Sequence, residues 1–104
     1  MLSQAQITEG QDGLYYASNN ELCNGTFEEF YSDGNLKMAM EMENGVLNGY
    51  TRIYHENGKL KEARSYKNGK FDGTWITYDE KGSRVALANY KNNKKNGKWL
   101  IWDD

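Results

Sequence analysis

The chain holds one histidine and one cysteine, the side chains that most often act as nucleophile, base or metal ligand. A Cys23–His55 nucleophile pair would need an Asn or Asp to orient the histidine. A zinc site of the usual kind would need more Cys and His ligands than these two. His55 precedes a predicted turn, where a histidine is expected to be solvent-exposed, and a lone cysteine is most often inert and partly buried. The sequence therefore predicts no catalytic residue, no metal ligand and no cofactor.

The acidic pairs Glu28-Glu29 and Asp79-Glu80 are the next candidates, either for acid–base chemistry or for Ca²⁺. Neighbouring residues of a strand point to opposite faces of a sheet, so the carboxylates of each pair do not converge. The glycine spacing matches neither a phosphate loop nor a dinucleotide-binding pattern. These residues favour a binding protein over an enzyme.

One basic segment contains aromatic residues. Lys94, Lys95 and Lys98 lie next to Trp99, with Trp102 close behind. Positive charge beside stacking platforms suits an anionic lipid or a nucleic acid. The net charge of the whole chain is −2, which makes nucleic acid the less expected partner. A solvated hairpin loop is the alternative explanation of these three lysines.

Glycine spacing predicts the architecture that must position these residues. Nine of the eleven glycines fall on one 24-residue lattice, and Asn or Asp precedes nine of the eleven. Such pairs supply the positive φ angles of tight hairpin turns. A fixed period of this length indicates a stacked repeat array. The lattice has three rows: Gly25, Gly49, Gly73 and Gly97; Gly34, Gly58 and Gly82; and Gly45 and Gly69.

The runs between these turns have the length of strands. Residues 50–55 and 59–67 are too short for helices, and the chain contains no proline to interrupt a ladder. We therefore predict an all-β fold: a single-layer, antiparallel β-meander of hairpin repeats in a curved, twisted sheet. The expected organisation is a flexible lead-in over 1–11 and one domain over 12–104. That domain divides into a cap at 12–24, repeats at 25–48, 49–72 and 73–96, and a half repeat at 97–104.

Aromatic residues recur in the first strand of each repeat. One row of aromatics stands two places after a lattice glycine, and a second row, the fifth-place aromatics, stands five places after it. The two positions have opposite parity along the strand, so the two rows should lie on opposite faces of the sheet unless a bulge intervenes. In the second strand, alternation predicts one row containing Leu60, Glu62, Arg64 and Tyr66, continued by Leu36 and the methionines of the first repeat and by Arg84 in the third. The candidate partner-binding residues are Phe30, Tyr54, Tyr78, Trp102, Trp75, Trp99, Met38 and Met40.

Two recurring motifs carry a family resemblance: the glycine–aromatic spacing of Gly73, Trp75 and Tyr78, and the Asn-Gly turns of residues 57–61 and 66–69. Together they resemble the variant MORN repeat (membrane occupation and recognition nexus) over residues 12–104. The form is similar to the bacterial variant, found in proteins described as antitoxins of toxin–antitoxin systems. The resemblance implies a curved sheet used for binding or scaffolding, with membrane association among eukaryotic relatives.

The expected function is a non-catalytic module that binds a protein partner, or itself, through an aromatic face and an open edge strand. An antitoxin-like role is one form of it, and binding of a glycan or an anionic lipid is the alternative. Residues 1–52 carry a net charge of −6 and residues 53–104 carry +4, which suits head-to-tail association. Residues 1–6 are a candidate remnant of an export signal but lack its basic start and long apolar run, so a cytoplasmic and an exported bacterial protein both stay open.

Overall fold

The computed structural model describes residues 7–102. This part of the chain forms strands joined by turns and contains no helix, and hence no helix able to cross a membrane. The strands are β1 (Ile7–Glu9), β2 (Tyr15–Ala17), β3 (Gly25–Phe30), β4 (Leu36–Glu43), β5 (Val46–Tyr54), β6 (Leu60–Lys67), β7 (Lys70–Tyr78), β8 (Arg84–Lys91), β9 (Lys94–Lys95) and β10 (Leu100–Ile101).

Strands β3 to β8 form one antiparallel meander in which each strand pairs with the next along the chain, and β9 and β10 both pair with β8. Strands β1 and β2 form a separate antiparallel hairpin. The all-β meander predicted from the glycine lattice is therefore confirmed. Part of the segment expected to be a flexible lead-in, residues 1–11, forms a strand instead, because Ile7–Glu9 pair with Tyr15–Ala17. Residues 1–6 lie outside the described part of the chain.

Two kinds of turn alternate along the meander. The two-residue turns after β4 and β6 have positive φ at both central residues, Asn44-Gly45 and Asn68-Gly69, as right-twisted hairpins require. The third such turn uses Asn92-Asn93, where Asn93 takes φ 69° in place of the missing glycine. The other kind is a five-residue connection whose fourth residue is a glycine with positive φ, at Gly34, Gly58 and Gly82.

The first row of lattice glycines has another use. Gly49 and Gly73 lie inside β5 and β7, at φ 109° and 104°, rather than in turns. Between Trp75 and Phe71 the register advances four residues while the partner strand advances two, from Arg64 to Tyr66. The turns predicted at Asn48-Gly49 and Asp72-Gly73 are therefore bulges within nine-residue strands. A positive φ serves a bulge as well as it serves a turn.

Smaller bulges decide which side chains share a face. Next to the loop of each hairpin, the pairing leaves out one residue of the second strand. In the β5–β6 hairpin, for example, Ile53 pairs with Glu62 but Tyr54 pairs with Leu60. The first strand keeps its alternation, and the two aromatic rows therefore lie on opposite faces, as predicted. The second strand does not keep it. Leu60 and its equivalents Leu36 and Arg84 leave the predicted row and join the face of the fifth-place aromatics.

The core lies at the N-terminal end of the sheet. Cys23, Phe27, Met40 and Met42 are buried there, and Ile7, Tyr15 and Ala17 of the β1–β2 hairpin pack against them. We call the side of the sheet that this hairpin covers the cap face, and the other side the opposite face. The cap face continues through Glu62, Arg64, Trp75 and Tyr90 towards β10.

Candidate interaction surface

The sequence-predicted aromatic residues do not form one surface. Trp75 and Trp99 lie on the cap face, where both belong to a chain of contacts through Tyr90. The fifth-place residues lie on the opposite face, and all are half-buried: Phe30, Tyr54, Tyr78 and Trp102. On that face the Arg84 guanidinium stacks over Trp102 at 4.9 Å. The structure thus separates one set of candidates into two.

The candidate methionines belong to the core. Met40 is 9% exposed, and Met38 is partly buried against the same cluster. The β1–β2 hairpin covers this end of the cap face, so Met40 is not available for contact with a partner. The methionine row of the first repeat therefore anchors the cap, since flexible thioether side chains fill irregular spaces under such a covering element.

An aromatic cluster occupies the rest of the cap face. Phe71 stacks between Tyr66 and Trp75 with ring centroids 5.0 and 5.1 Å away, and Tyr90 lies 5.1 Å from Phe71 and 5.7 Å from Trp99. Aromatic pairs at these separations add stability beyond the area that they bury. We call this set, Tyr66, Phe71, Trp75, Tyr90 and Trp99, the aromatic cluster.

The candidate partner-binding residues from the sequence include neither Tyr66, Phe71 nor Tyr90, and Phe71 is the one of the three at the centre of the cluster. It stands two residues before a lattice glycine, a position occupied by Cys23 and Leu47 in the earlier copies. The backbone carbonyls of all three accept a hydrogen bond from a two-residue turn, through the N–H groups of Gly45, Gly69 and Asn93 respectively. The same 24-residue lattice would have identified this inward-facing row.

Glu62 fixes the middle of the aromatic cluster. Its Oε1 accepts hydrogen bonds from Trp75 Nε1 at 2.9 Å and from Arg64 Nε at 3.0 Å. The Arg64 guanidinium also stacks over the Trp75 ring at 4.5 Å. One carboxylate thereby joins the cation and the indole through charge-assisted hydrogen bonds.

An apolar groove with a volume of about 190 Å³ opens where the aromatic cluster meets β10. Trp75, Tyr90 and Trp99 line it, together with Ala86, Leu100 and Ile101. Ile101 is 78% exposed and Trp99 is 43% exposed. In the described part of the chain, one end of the cap face is covered by the hairpin, and this end is open. We call it the C-terminal groove.

The three predicted lysines adjoin this groove. Lys94, Lys95 and Lys98 are all exposed, and the Lys95 ammonium lies 4.3 Å from the centre of the Trp99 ring. The arrangement joins a positive patch to an exposed apolar surface. It can attract an anionic group while the ring and Ile101 contact apolar atoms.

The residues considered for chemistry are not brought together. Cys23 is fully buried at the N-terminal core and its backbone N–H bonds to Tyr15, whereas His55 lies at the other end of the strands, in the turn after β5. Burial raises the pKa of the Cys23 thiol, which disfavours the thiolate. Within residues 7–102 no cluster of three His, Cys, Asp or Glu side chains has the geometry to hold a metal ion.

His55 has a structural contact that the sequence analysis did not anticipate. Its Nε2 lies 3.1 Å from the backbone oxygen of Tyr78, in the next repeat. Tyr31, which stands 24 residues earlier, donates from its hydroxyl to the backbone oxygen of Tyr54 at 2.7 Å. Both side chains therefore join one hairpin loop to the next. A polar groove of about 480 Å³ lies along this edge, between Tyr31, His55 and Glu80.

Comparison with known protein families identifies one family. The model described as MORN repeat variant matches three times, over residues 24–45, 47–68 and 71–92. Each match spans one hairpin of the meander and ends in the two-residue turn that follows it, and together the three cover more than half of the chain. Neither the curated proteins nor the solved structures gave a match. Such repeats are generally associated with interaction with proteins or membranes. The repeat lattice, the meander and the family match together place this chain in the MORN repeat variant family.

Proposed function

We propose that this chain is a non-catalytic module that binds a protein partner through the C-terminal groove and the aromatic cluster beside it. The observation that carries the proposal is the uneven covering of the cap face. The β1–β2 hairpin buries Phe27 and Met40 at one end, while at the other end Trp99 and Ile101 are 43% and 78% exposed.

The composition of this surface supports a protein partner. Aromatic residues and Arg are enriched at the centres of protein interfaces, and Arg64 stacks on Trp75 within the aromatic cluster. Trp75 is held by Glu62, so little side-chain entropy is lost when a partner contacts it. A preorganised aromatic surface beside an open apolar groove suits an apolar side chain of another protein as its anchor.

Two substitutions test this surface against a matched control. Ile101→Asp and Trp99→Ala should abolish capture of partner proteins from the native lysate, because both remove apolar contact from the groove. Tyr50→Ala is the control, since Tyr50 is 44% exposed and its position in β5 pairs it with Ser65 on the opposite face. Capture that survives Ile101→Asp but is lost in Tyr50→Ala would overturn the assignment of the surface.

Self-association through the same groove is the simplest form of the proposal, with a second copy as the partner. Light scattering over a range of concentrations would then give a mass that rises with concentration, and Ile101→Asp would give a constant monomer mass. An antitoxin-like role is another form, in which the partner is a toxic protein of a bacterial host. Co-expression of that partner with the Ile101→Asp variant would then fail to protect the cell.

The lysine patch supports a second candidate, an anionic lipid surface. Lys94, Lys95 and Lys98 are exposed beside Trp99 and Ile101, which combines charge with side chains able to enter the headgroup region. Flotation with anionic vesicles should then depend on Lys94 and Lys95 and weaken with salt. A glycan is less well supported, because the Phe71 and Trp75 rings stack on each other with 13° between their planes and thereby occupy each other's faces.

A further inference from the structure

Six Asn-Gly pairs occur in this chain of 104 residues. This dipeptide deamidates spontaneously in water. The backbone nitrogen of the glycine attacks the side-chain Cγ of the asparagine, ammonia leaves, and a succinimide ring forms. Water then opens the ring to aspartate or isoaspartate, so the step needs no oxidant, reductant or enzyme. The reaction requires a glycine N–H that is accessible and an asparagine side chain that is free to rotate.

Backbone hydrogen bonds protect most of these glycines. The N–H groups of Gly45, Gly58 and Gly69 donate to the carbonyls of Cys23, His55 and Leu47 at 2.8–2.9 Å. Gly25 and Gly49 lie within strands β3 and β5. Each of these five pairs must open locally before its nitrogen can attack.

Side-chain hydrogen bonds protect some of the asparagines as well. Asn57 accepts from Lys59 N at 2.9 Å and donates to the Glu80 carbonyl at 2.8 Å. Asn48 accepts from Asn68 N at 3.0 Å and donates to Glu43 at 3.0 Å. Rotation of either amide towards its glycine would break two hydrogen bonds.

Asn96-Gly97 lacks both kinds of protection. Both residues are exposed and lie between β9 and β10, outside any strand. The flanks are anchored, since Asn96 N donates to the Asn89 carbonyl and Asn89 Nδ2 donates to the Lys98 carbonyl, each at 2.8 Å. Among the described residues, however, neither the Gly97 N–H nor the Asn96 side chain has a hydrogen-bond partner.

The charges around this pair favour the reaction. Attack requires a partly deprotonated Gly97 nitrogen and passes through a negatively charged tetrahedral intermediate. Lys94, Lys95 and Lys98 flank the pair in sequence and are exposed. Nearby positive charges stabilise both the deprotonated Gly97 nitrogen and the negatively charged intermediate.

We propose that Asn96 is a selective site of spontaneous deamidation in the folded protein. The product places a carboxylate among the three lysines, which reduces the positive charge of the patch beside Trp99. Isoaspartate also adds a backbone methylene at position 96, three residues before Trp99, which lines the C-terminal groove. As deamidation accumulates with time, this surface therefore loses positive charge.

The experiment compares the folded chain with the chain unfolded in urea, both aged in mildly alkaline water labelled with heavy oxygen. Chymotryptic peptides are sequenced by mass spectrometry, and incorporated heavy oxygen marks each site that reacted. We expect Asn96 to react about tenfold faster than each of the other five sites in the folded chain, because those sites require local opening. In urea the six rates should converge.

Two results would overturn the proposal: a folded-state rate at Asn57 or Asn68 equal to that at Asn96, or a rate advantage of Asn96 over the other sites that is as large in urea as in the folded chain. Asn96→Gln is the matched control and should remove the fast site without altering the other five. Lys95→Gln combined with Lys98→Gln should slow reaction at Asn96, and high salt should slow the parent chain towards that rate. Unchanged rates in both would contradict the role of the lysines.

Discussion

Trp75 Nε1 donates a hydrogen bond of 2.9 Å to Glu62 Oε1 across the β6–β7 pair. The same oxygen accepts from Arg64, whose side chain is 27% exposed, while that of Glu62 is 17% exposed. A partly buried carboxylate on the sheet therefore accepts hydrogen bonds from a cation and an indole of its own face, and it links two side chains of this surface.

Removal of this carboxylate should destabilise the sheet. Glu62→Ala removes the acceptor that Trp75 and Arg64 share, which should cost about 1–3 kcal/mol of unfolding free energy. Glu62→Gln keeps an acceptor oxygen and should cost less. Urea unfolding followed by tryptophan fluorescence measures both, with Glu56→Ala at an exposed position as the control. Equal stability of Glu62→Ala and Glu56→Ala would contradict the role of Glu62.

The bulge glycines should tolerate substitution less well than the loop glycines. A Cβ on Gly73 would lie 2.9 Å from Ser65 Oγ and 3.1 Å from Ser65 Cβ, whereas a Cβ on Gly58 would meet no atom within 4 Å. Both glycines have positive φ, so alanine strains the backbone at each by about 1–2 kcal/mol. Gly73→Ala should therefore lower the urea midpoint more than Gly58→Ala does. The reverse order would show that the bulge adapts to a side chain.

His55 should be replaceable by tyrosine. His55→Ala removes the contact with the Tyr78 carbonyl and should cost about 0.5–1.5 kcal/mol. His55→Tyr should retain most of the stability, because Tyr31 makes the equivalent contact one repeat earlier. Thermal unfolding monitored by circular dichroism compares the two variants. A tyrosine variant as unstable as the alanine variant would mean that the imidazole has a separate role.

Cys23 should react slowly with alkylating reagents in the folded chain. Burial raises the pKa of its thiol, so at neutral pH less thiolate is present than in the unfolded chain, and access is also blocked. The rate of iodoacetamide labelling should rise with pH and should increase sharply in urea. Rapid labelling of the folded chain at neutral pH would show that the hairpin opens easily over Cys23.

The repeat fold followed from the sequence because its code is local. Asn or Asp before glycine specifies positive φ, and Asn93 adopts the left-handed region where the third copy lacks glycine. The same code does not separate a turn from a bulge. Gly49 therefore looked like a hairpin residue, although Tyr50 N donates to the Glu41 side chain from the neighbouring strand, and this contact depends on the assembled sheet.

The candidate surface was less predictable, since it depends on which part of the sheet is covered. Nothing in Ile7–Glu9 repeats, so periodicity gave no sign that this segment pairs with β2 and covers Met40. The split of the aromatic rows followed from parity. Arg84 lies over Trp102 because the strand pairing leaves out Val85, and no residue type in the strand predicts this bulge.

The hydrogen bonds between repeats, such as Gly69 N to Leu47 O and His55 Nε2 to Tyr78 O, each join a hairpin to its immediate neighbour. Cooperativity in such a chain passes from one repeat to the next and has a direction. The β1–β2 hairpin packs over Cys23 and covers one end of the sheet. In the described part of the chain, the other end carries only the two-residue strand Leu100–Ile101. Opening should then propagate from β10 towards β3, so a ligand held near Ile101 would tighten every repeat behind it.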